Sequence, residues 1–124
     1  MSDLHRTEAE PVFDLETLFA EMRTEAANSA TGHAARTLVH EDDLRVVLVV
    51  LAAGGSIKDH RAHASTSIHV LRGAIGVGLD GRSLELSAGR LLVLQRDVPH
   101  SVIANAESAF VLTWGGLTEG AEAC

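Results

Sequence analysis

Apolar positions along the chain follow two different periods, and the change between them falls near Gly32. Ahead of it, Leu15, Leu18, Phe19, Met22 and Ala26 recur at the spacing of one helical face. Asp14 stands where an N-cap would stand, offering a carboxylate to the open amides of a first turn. The pattern predicts an amphipathic helix over 15–27, whose apolar stripe must lie on something, most simply the outside of a sheet. Asn28-Ser29-Ala30-Thr31-Gly32 reads as the exit loop, with Gly32 closing it. Residues 1–11 show no period and are expected to form a loose terminus.

From Arg36 onward the runs are short and β-prone: RTLVH, RVVLVVLAA, TSIHVLR, AIGVGL, RSLELS, RLLVLQ, HSVIA and SAFVLTW. Turn signals separate them at Glu41-Asp42-Asp43, Gly54-Gly55, Arg72-Gly73, Asp80-Gly81, Ala88-Gly89, Arg96-Asp97 and Ala106-Glu107. Asp80-Gly81 is the strongest, with the composition of a two-residue type I′ hairpin turn. Nothing after Gly32 predicts a second helix, so the pattern describes an all-β sandwich or small barrel. Val46–Leu51 does not alternate, and a strand apolar on both faces is buried on both. The economical cover for its outer face is the helix or a second subunit, and a homodimer is expected.

Composition narrows the class. A chain of 124 residues is a single domain able to bury a core. Three Phe, one Trp and no Tyr leave that core to Val, Leu, Ile and Ala. A formal charge of −7 excludes the basic footprint that nucleic-acid binding needs. MSDLHRTEAE is polar and acidic, unlike a signal peptide. The longest apolar run, Val46–Ala53, falls far short of the roughly 20 residues that cross a bilayer, so no membrane is expected. The single Cys124 offers neither an internal disulfide nor a chelating pair. A cytoplasmic protein is the expectation.

Three familiar motifs fail on context. Gly76-Val77-Gly78-Leu79-Asp80-Gly81 spells a dinucleotide fingerprint, but it spans a strand and its hairpin, and no helix follows to hold a pyrophosphate. His40-Glu41 lacks the second histidine of a zinc-protease helix. There is no G-x-S-x-G elbow, and Cys124 stands too near the end to be a credible nucleophile. What remains is a histidine-rich stretch, Gly54–Gly73, holding His60, His63 and His69, with His100 further on after Pro99. Neutral imidazole is the commonest metal ligand, and ligands converge from one face of neighbouring strands. His60 and His100 each read as standing near the start of a strand. If those strands are neighbours, both imidazoles can share one cavity.

These residues carry a resemblance. Gly54–Trp114 resembles the cupin family, small β-barrels with two motifs joined by a variable loop. The first runs G-x5-H-x-H, three or four residues, then E-x6-G, and Gly54, His60 and Gly73 fall on its fixed positions. The second runs G-x5-P-x-G-x2-H, and Gly89 and His100 match it. HVLRG, VPHSV and SAFVLTW are also similar to small single-domain cupins. The departures lie at the metal site. The second histidine falls on Ala62, the glutamate on Thr66, and the proline and glycine ahead of His100 on Gln95 and Asp97. Two of the usual ligands are left, His60 and His100, for a divalent ion (Zn, Ni, Mn or Fe), with His63 and then His69 as candidate replacements. Counting in twos from His60 turns Ala62 inward and His63 outward, unless a bulge within Arg61–Ser65 resets the parity. Ile68 and Val70 follow Thr66 on the inward face, which turns His69 outward.

The resemblance implies an antiparallel double-stranded β-barrel (jelly roll) with one N-terminal amphipathic helix outside it. Helix and exit loop would occupy 12–32, the barrel 33–114 and a flexible terminus 115–124. Its interior, facing His60 and His100, would be lined by Thr66, Ile68, Val70 and Val102, with Leu92 and Leu94 as further candidates. That is an apolar pocket with few polar groups, the usual make-up of a small-molecule site. His5, His33 and His40 read as exposed or capping residues. Arg36, Arg45, Arg72, Arg82, Arg90 and Arg96 read as turn and strand-edge charges. The function expected first is a small-molecule-binding cupin, with a divalent metal through His60 and His100 left open. The alternatives are a metal-dependent oxygenase, isomerase or decarboxylase, and a structural or partner-binding barrel. Loss of the glutamate weighs against catalysis, because it weakens the ion site and removes an obvious general base.

Overall fold

The helical stripe folds as its spacing predicts. In the computed structural model, which describes residues 11–115 and of His60 the backbone alone, α1 runs over Leu15–Asn28, one residue beyond the expected end. The expected loose N-terminus up to residue 10, His5, and the C-terminal residues 116–124 with Cys124 lie outside the described residues. Asp14 is extended, and its carboxylate accepts from the Thr17 N–H at 3.2 Å. The Thr17 backbone amide holds the Asp14 carboxyl below its ordinary value. A folded value below the unfolded one means the cap contributes fully above the ordinary aspartate range and fades as pH falls through the lowered value. Amide exchange in the first turn of α1 is therefore expected to quicken on acidification through that range. Asp14→Asn should remove the dependence, and a flat profile in the native protein would exclude the cap as its source.

Nine strands follow among the described residues. They are β1 (His33–Glu41), β2 (Leu44–Leu51), β3 (Ser56–His60), β4 (Thr66–Arg72), β5 (Ala74–Leu79), β6 (Arg82–Ser87), β7 (Leu91–Leu94), β8 (His100–Ala104) and β9 (Ser108–Gly115). They form two antiparallel sheets, β1-β2-β9-β4-β7 and β3-β8-β5-β6, packed face to face as a jelly roll. β3 is absent from the runs read off the pattern, because SIKDH is short, charged and without alternation. The β5–β6 hairpin forms at Asp80-Gly81 as expected, with Leu79 opposite Arg82. The turn is not type I′, however, because only Gly81 takes a positive φ (76°) and that type needs one at both central residues. Gly32 does close the exit loop, and for a steric reason as well. Its φ is 76°, and a Cβ there would sit 2.7 Å from the Gly55 Cα where the two backbones cross.

β2 explains how the helix and barrel fit together. Val49 and Leu51 point into the sandwich, with Val47 packed against the same core, while Leu48 and Val50 point out under α1, where Val46 joins them. Phe19, Met22 and Ala26 of the helix are buried on that outer face, beside Ala34, Leu38 and Ala109. The helix thus covers Leu48 and Val50 on that face. Burying each large apolar side chain contributes about 1.5–3 kcal/mol. Exposed ion pairs across the same junction, Arg36 with Glu21 (3.1 Å) and Glu25 (3.4 Å) and Arg23 with Glu107 (2.7 Å), contribute about 0–1 kcal/mol each. Apolar contact therefore holds the helix, and the ion pairs orient it. Arg36 and Arg72 are thus not simple edge charges: Arg72 pairs with Glu16 and lies 4.5 Å over the Phe19 ring. No helix among the described residues is long and apolar enough to cross a membrane.

Candidate functional site

The neighbourhood expected of the two histidines is present in the backbone. β3 pairs with β8, and His60 stands directly opposite His100. His60 ends its strand, whereas the sequence reading put it near a strand start, and His100 begins the next one in the sheet. Ile57 is opposite Val102, so β3 spends three residues where β8 spends two. The irregularity therefore falls between Ile57 and His60 and not within Arg61–Ser65.

His100 is 3% exposed, and its Nδ1 lies 3.1 Å from the Val98 carbonyl oxygen. A carbonyl only accepts, so Nδ1 carries the proton of this hydrogen bond. Ala62 and Thr66, where the cupin pattern has further ligands, are both buried. The Thr66 hydroxyl donates to the Ala64 carbonyl at 3.0 Å. His63 stays outside the interior: it is half exposed, with Nδ1 2.6 Å from Asp97 Oδ1. The Asp97 N–H donates to the Ala62 carbonyl at 2.8 Å, so this pair ties the β3–β4 loop to the β7–β8 loop on the surface. His69 is exposed on the outer face of β4, opposite Leu91 and Val111. Strand parity thus describes the placement of both, on the outside of the barrel. Among the described residues no three His, Cys, Asp or Glu side chains are grouped to hold an ion. At the four positions where the cupin pattern has ligands this chain has His60, Ala62, Thr66 and His100, so they offer neither a third imidazole nor a carboxylate.

What His100 does border is a cavity of about 340 Å³. Its walls are apolar, from Val47 and Val49 of β2, Ile68 of β4 and Val102 of β8, with Phe110 and Leu112 of β9. The second imidazole on it is His33, which the sequence reading set aside as exposed or capping. His33 is half-buried, its N–H donates to Ser29 Oγ at 3.0 Å, and its Nδ1 lies 2.7 Å from Thr31 Oγ1. The signal that could have found it is alternation in β1. Ala34 and Leu38 face α1, which turns His33 and Ala35 to the other side. Both remain accessible on an edge strand and mark the cavity mouth.

Of the six side chains expected to line the interior, Ile68 and Val102 are on this wall. Val70 and Leu94 are buried in the packed core, with Leu92 against it, beside Ile75, Val77 and Leu86. The reason is the stacking of the sheets. The β4–β7 side closes on β5 and β6, while the β1–β2–β9 side faces the short edge strand β3 and stays open. Thr66 is buried at the end of the barrel and does not line this cavity.

Comparisons with known proteins agree with this architecture. The protein-family description Cupin domain matches residues 47–115, more than half of the chain. A cupin superfamily protein from Desulfitobacterium hafniense superposes with a TM-score of 0.71 at 15% identity, over 92% of this chain and 98% of that one. KdgF from Halomonas sp. gives 0.63 at 24% identity, over 71% and 82%. Salicylate 1,2-dioxygenase from Pseudaminobacter salicylatoxidans gives 0.70 at 24% identity, over 80% of this chain but 33% of the dioxygenase. No curated protein matches the sequence. With the two-sheet jelly roll and a matched segment running from β2 through β9, the chain belongs to the cupin domain family.

Proposed function

We propose that this chain is a small-molecule-binding cupin whose ligand occupies the cavity between the β1–β2–β9 face and β3–β8. The observation that carries the reading is an apolar space of about 340 Å³ with two imidazoles, His33 and His100, on its wall. Apolar walls with few polar groups are the general pattern of a ligand pocket. A space of this size in a core that is otherwise close-packed costs dispersion contact unless something fills it.

A metal-dependent enzyme is the second reading. The direct opposition of His60 and His100 favours it, as does the likeness in fold to a dioxygenase. Ala62 and Thr66 count against it, since Ala62 has no lone pair to replace an imidazole and Thr66 no negative charge to replace a carboxylate. Elemental analysis of the purified protein separates the two. Ni, Zn or Mn is expected at well under one ion per chain, and His60→Ala or His100→Ala should remove what is held. One ion per chain, retained through dialysis against a chelator, would favour the enzyme and sink the present reading.

A further inference from the structure

The β7–β8 loop, residues 95–99, sets where the buried imidazole of the cavity is held. The Val98 carbonyl that accepts from His100 Nδ1 belongs to this loop. Two of its residues have little freedom of their own, because Pro99 fixes its own φ and pushes Val98 towards extended backbone. Asp97 is the opposite case. Its φ is 65°, and among the described residues it alone combines a positive φ with a side chain. An L-residue adopts that region at a cost, lower for Asn and Asp than for others, and the surrounding structure must offset it. The glycine of the second cupin motif falls on this position, and glycine takes the same backbone without steric cost.

What offsets it here is the β3–β4 loop. The Asp97 N–H donates to the Ala62 carbonyl at 2.8 Å, and the Asp97 carboxylate accepts from His63 Nδ1 at 2.6 Å. Both bonds close on one residue, so they hold its backbone and its side chain together. Ala62 and Ala64, on either side of His63, are buried and anchor the loop that carries it. A half-exposed pair of this kind is a weak source of stability. It is well placed to hold one dihedral angle.

We propose that His63 and Asp97 are positioning residues. They latch the β7–β8 loop in its left-handed turn, so that the Val98 carbonyl fixes the His100 imidazole on the cavity wall. His63 thus serves the site from outside the barrel. The functional meaning of the latch rests on the cavity being a ligand site, but the latch itself is tested on His100 with no ligand present.

The readout is the His100 Nδ1 proton in ¹⁵N-histidine-labelled full-length protein at fixed pH, assigned by its contacts with Val98 protons. Held by a carbonyl on a ring that is 3% exposed, it should exchange with solvent far more slowly than a ring proton of an exposed imidazole. His63→Ala removes one weak exposed bond and should quicken that exchange about two- to fivefold. Asp97→Ala loses the bond and leaves a side chain that resists positive φ, so about five- to thirtyfold is expected. Asp97→Gly loses the same bond but takes that φ freely, and should exchange no faster than His63→Ala. Asp97→Asn keeps an acceptor and tolerates the turn, and should stay within about twofold of the native rate. Glycine against alanine separates a latch from a plain surface ion pair, since both variants lose the pair. Equal exchange in Asp97→Gly and Asp97→Ala would overturn the latch, as would a His100 proton that no variant moves, even if the variants melt earlier. A native proton that exchanges as fast as that of an exposed imidazole would overturn it with no variant needed. Acetophenone, a ring-sized probe of the cavity, reports on the ligand site. Weaker binding to Asp97→Ala than to Asp97→Gly would carry the latch through to that site. If acetophenone binds neither native nor variant protein while His100 follows the expected order, the latch stands and the cavity reading loses its support.

Discussion

Met22→Ala is expected to lower the unfolding free energy by about 2–5 kcal/mol, the range for emptying a large buried site. Met22 is fully buried between α1 and the outer face of β2. Leu48 and Val50 beneath it are held in a sheet paired on both sides, so the site can collapse only a little. A domain of this size has about 5–15 kcal/mol in total, so the loss takes a large share of it. Leu91→Ala, on an exposed side chain of the edge strand β7, is the control and should stay within about 0.5 kcal/mol. Urea midpoints measure both. A Met22→Ala midpoint no lower than that of Leu91→Ala would mean that the helix is an appendage and that β2 folds without its cover.

The same junction shows why much of the fold was legible. Helical spacing with a capping aspartate marks α1, and the doubly apolar β2 calls for a cover that α1 turns out to be. The runs that became β4, β5, β8 and β9 carry apolar residues on a strand period, and periodicity survives whatever the partner strand is. β3 has no such mark. Its place is set by pairing with β8 some forty residues away, and long-range pairing leaves no local trace in SIKDH.

The site was legible only as far as parity reaches. Parity separates Ile68 and Val70 from His69, and it puts His63 outside. It does not say how much of the inside is filled, which is decided by how the two sheets stack. That is why Val70, Leu92 and Leu94 went into the core and not onto the cavity wall. His33 was missed because the strand it opens was read as starting three residues later.

Rebuilding the missing half of the cupin ligand set should change metal binding more than any single deletion. Ala62→His together with Thr66→Glu puts an imidazole and a carboxylate at the two buried positions where the family pattern has them. Outer partners of a metal site alone are worth about 10–100-fold in affinity, so two direct ligands, one of them anionic, should gain at least about a hundredfold. Zinc should rise from well under one ion per chain to one, and should survive dialysis against a chelator. Without metal the variant should be less stable than the native chain, because its new carboxylate is buried with no charge to balance it. Zinc at about a thousand times its dissociation constant should return about 4 kcal/mol, read by calorimetry with and without the ion. His100→Ala in the variant should undo the gain, since it removes one of the two imidazoles that the rebuilt set depends on. A variant that folds yet holds no more zinc than the native protein would mean that the four positions do not converge. The opposition of His60 and His100 would then be a feature of strand pairing and not the remnant of a metal site.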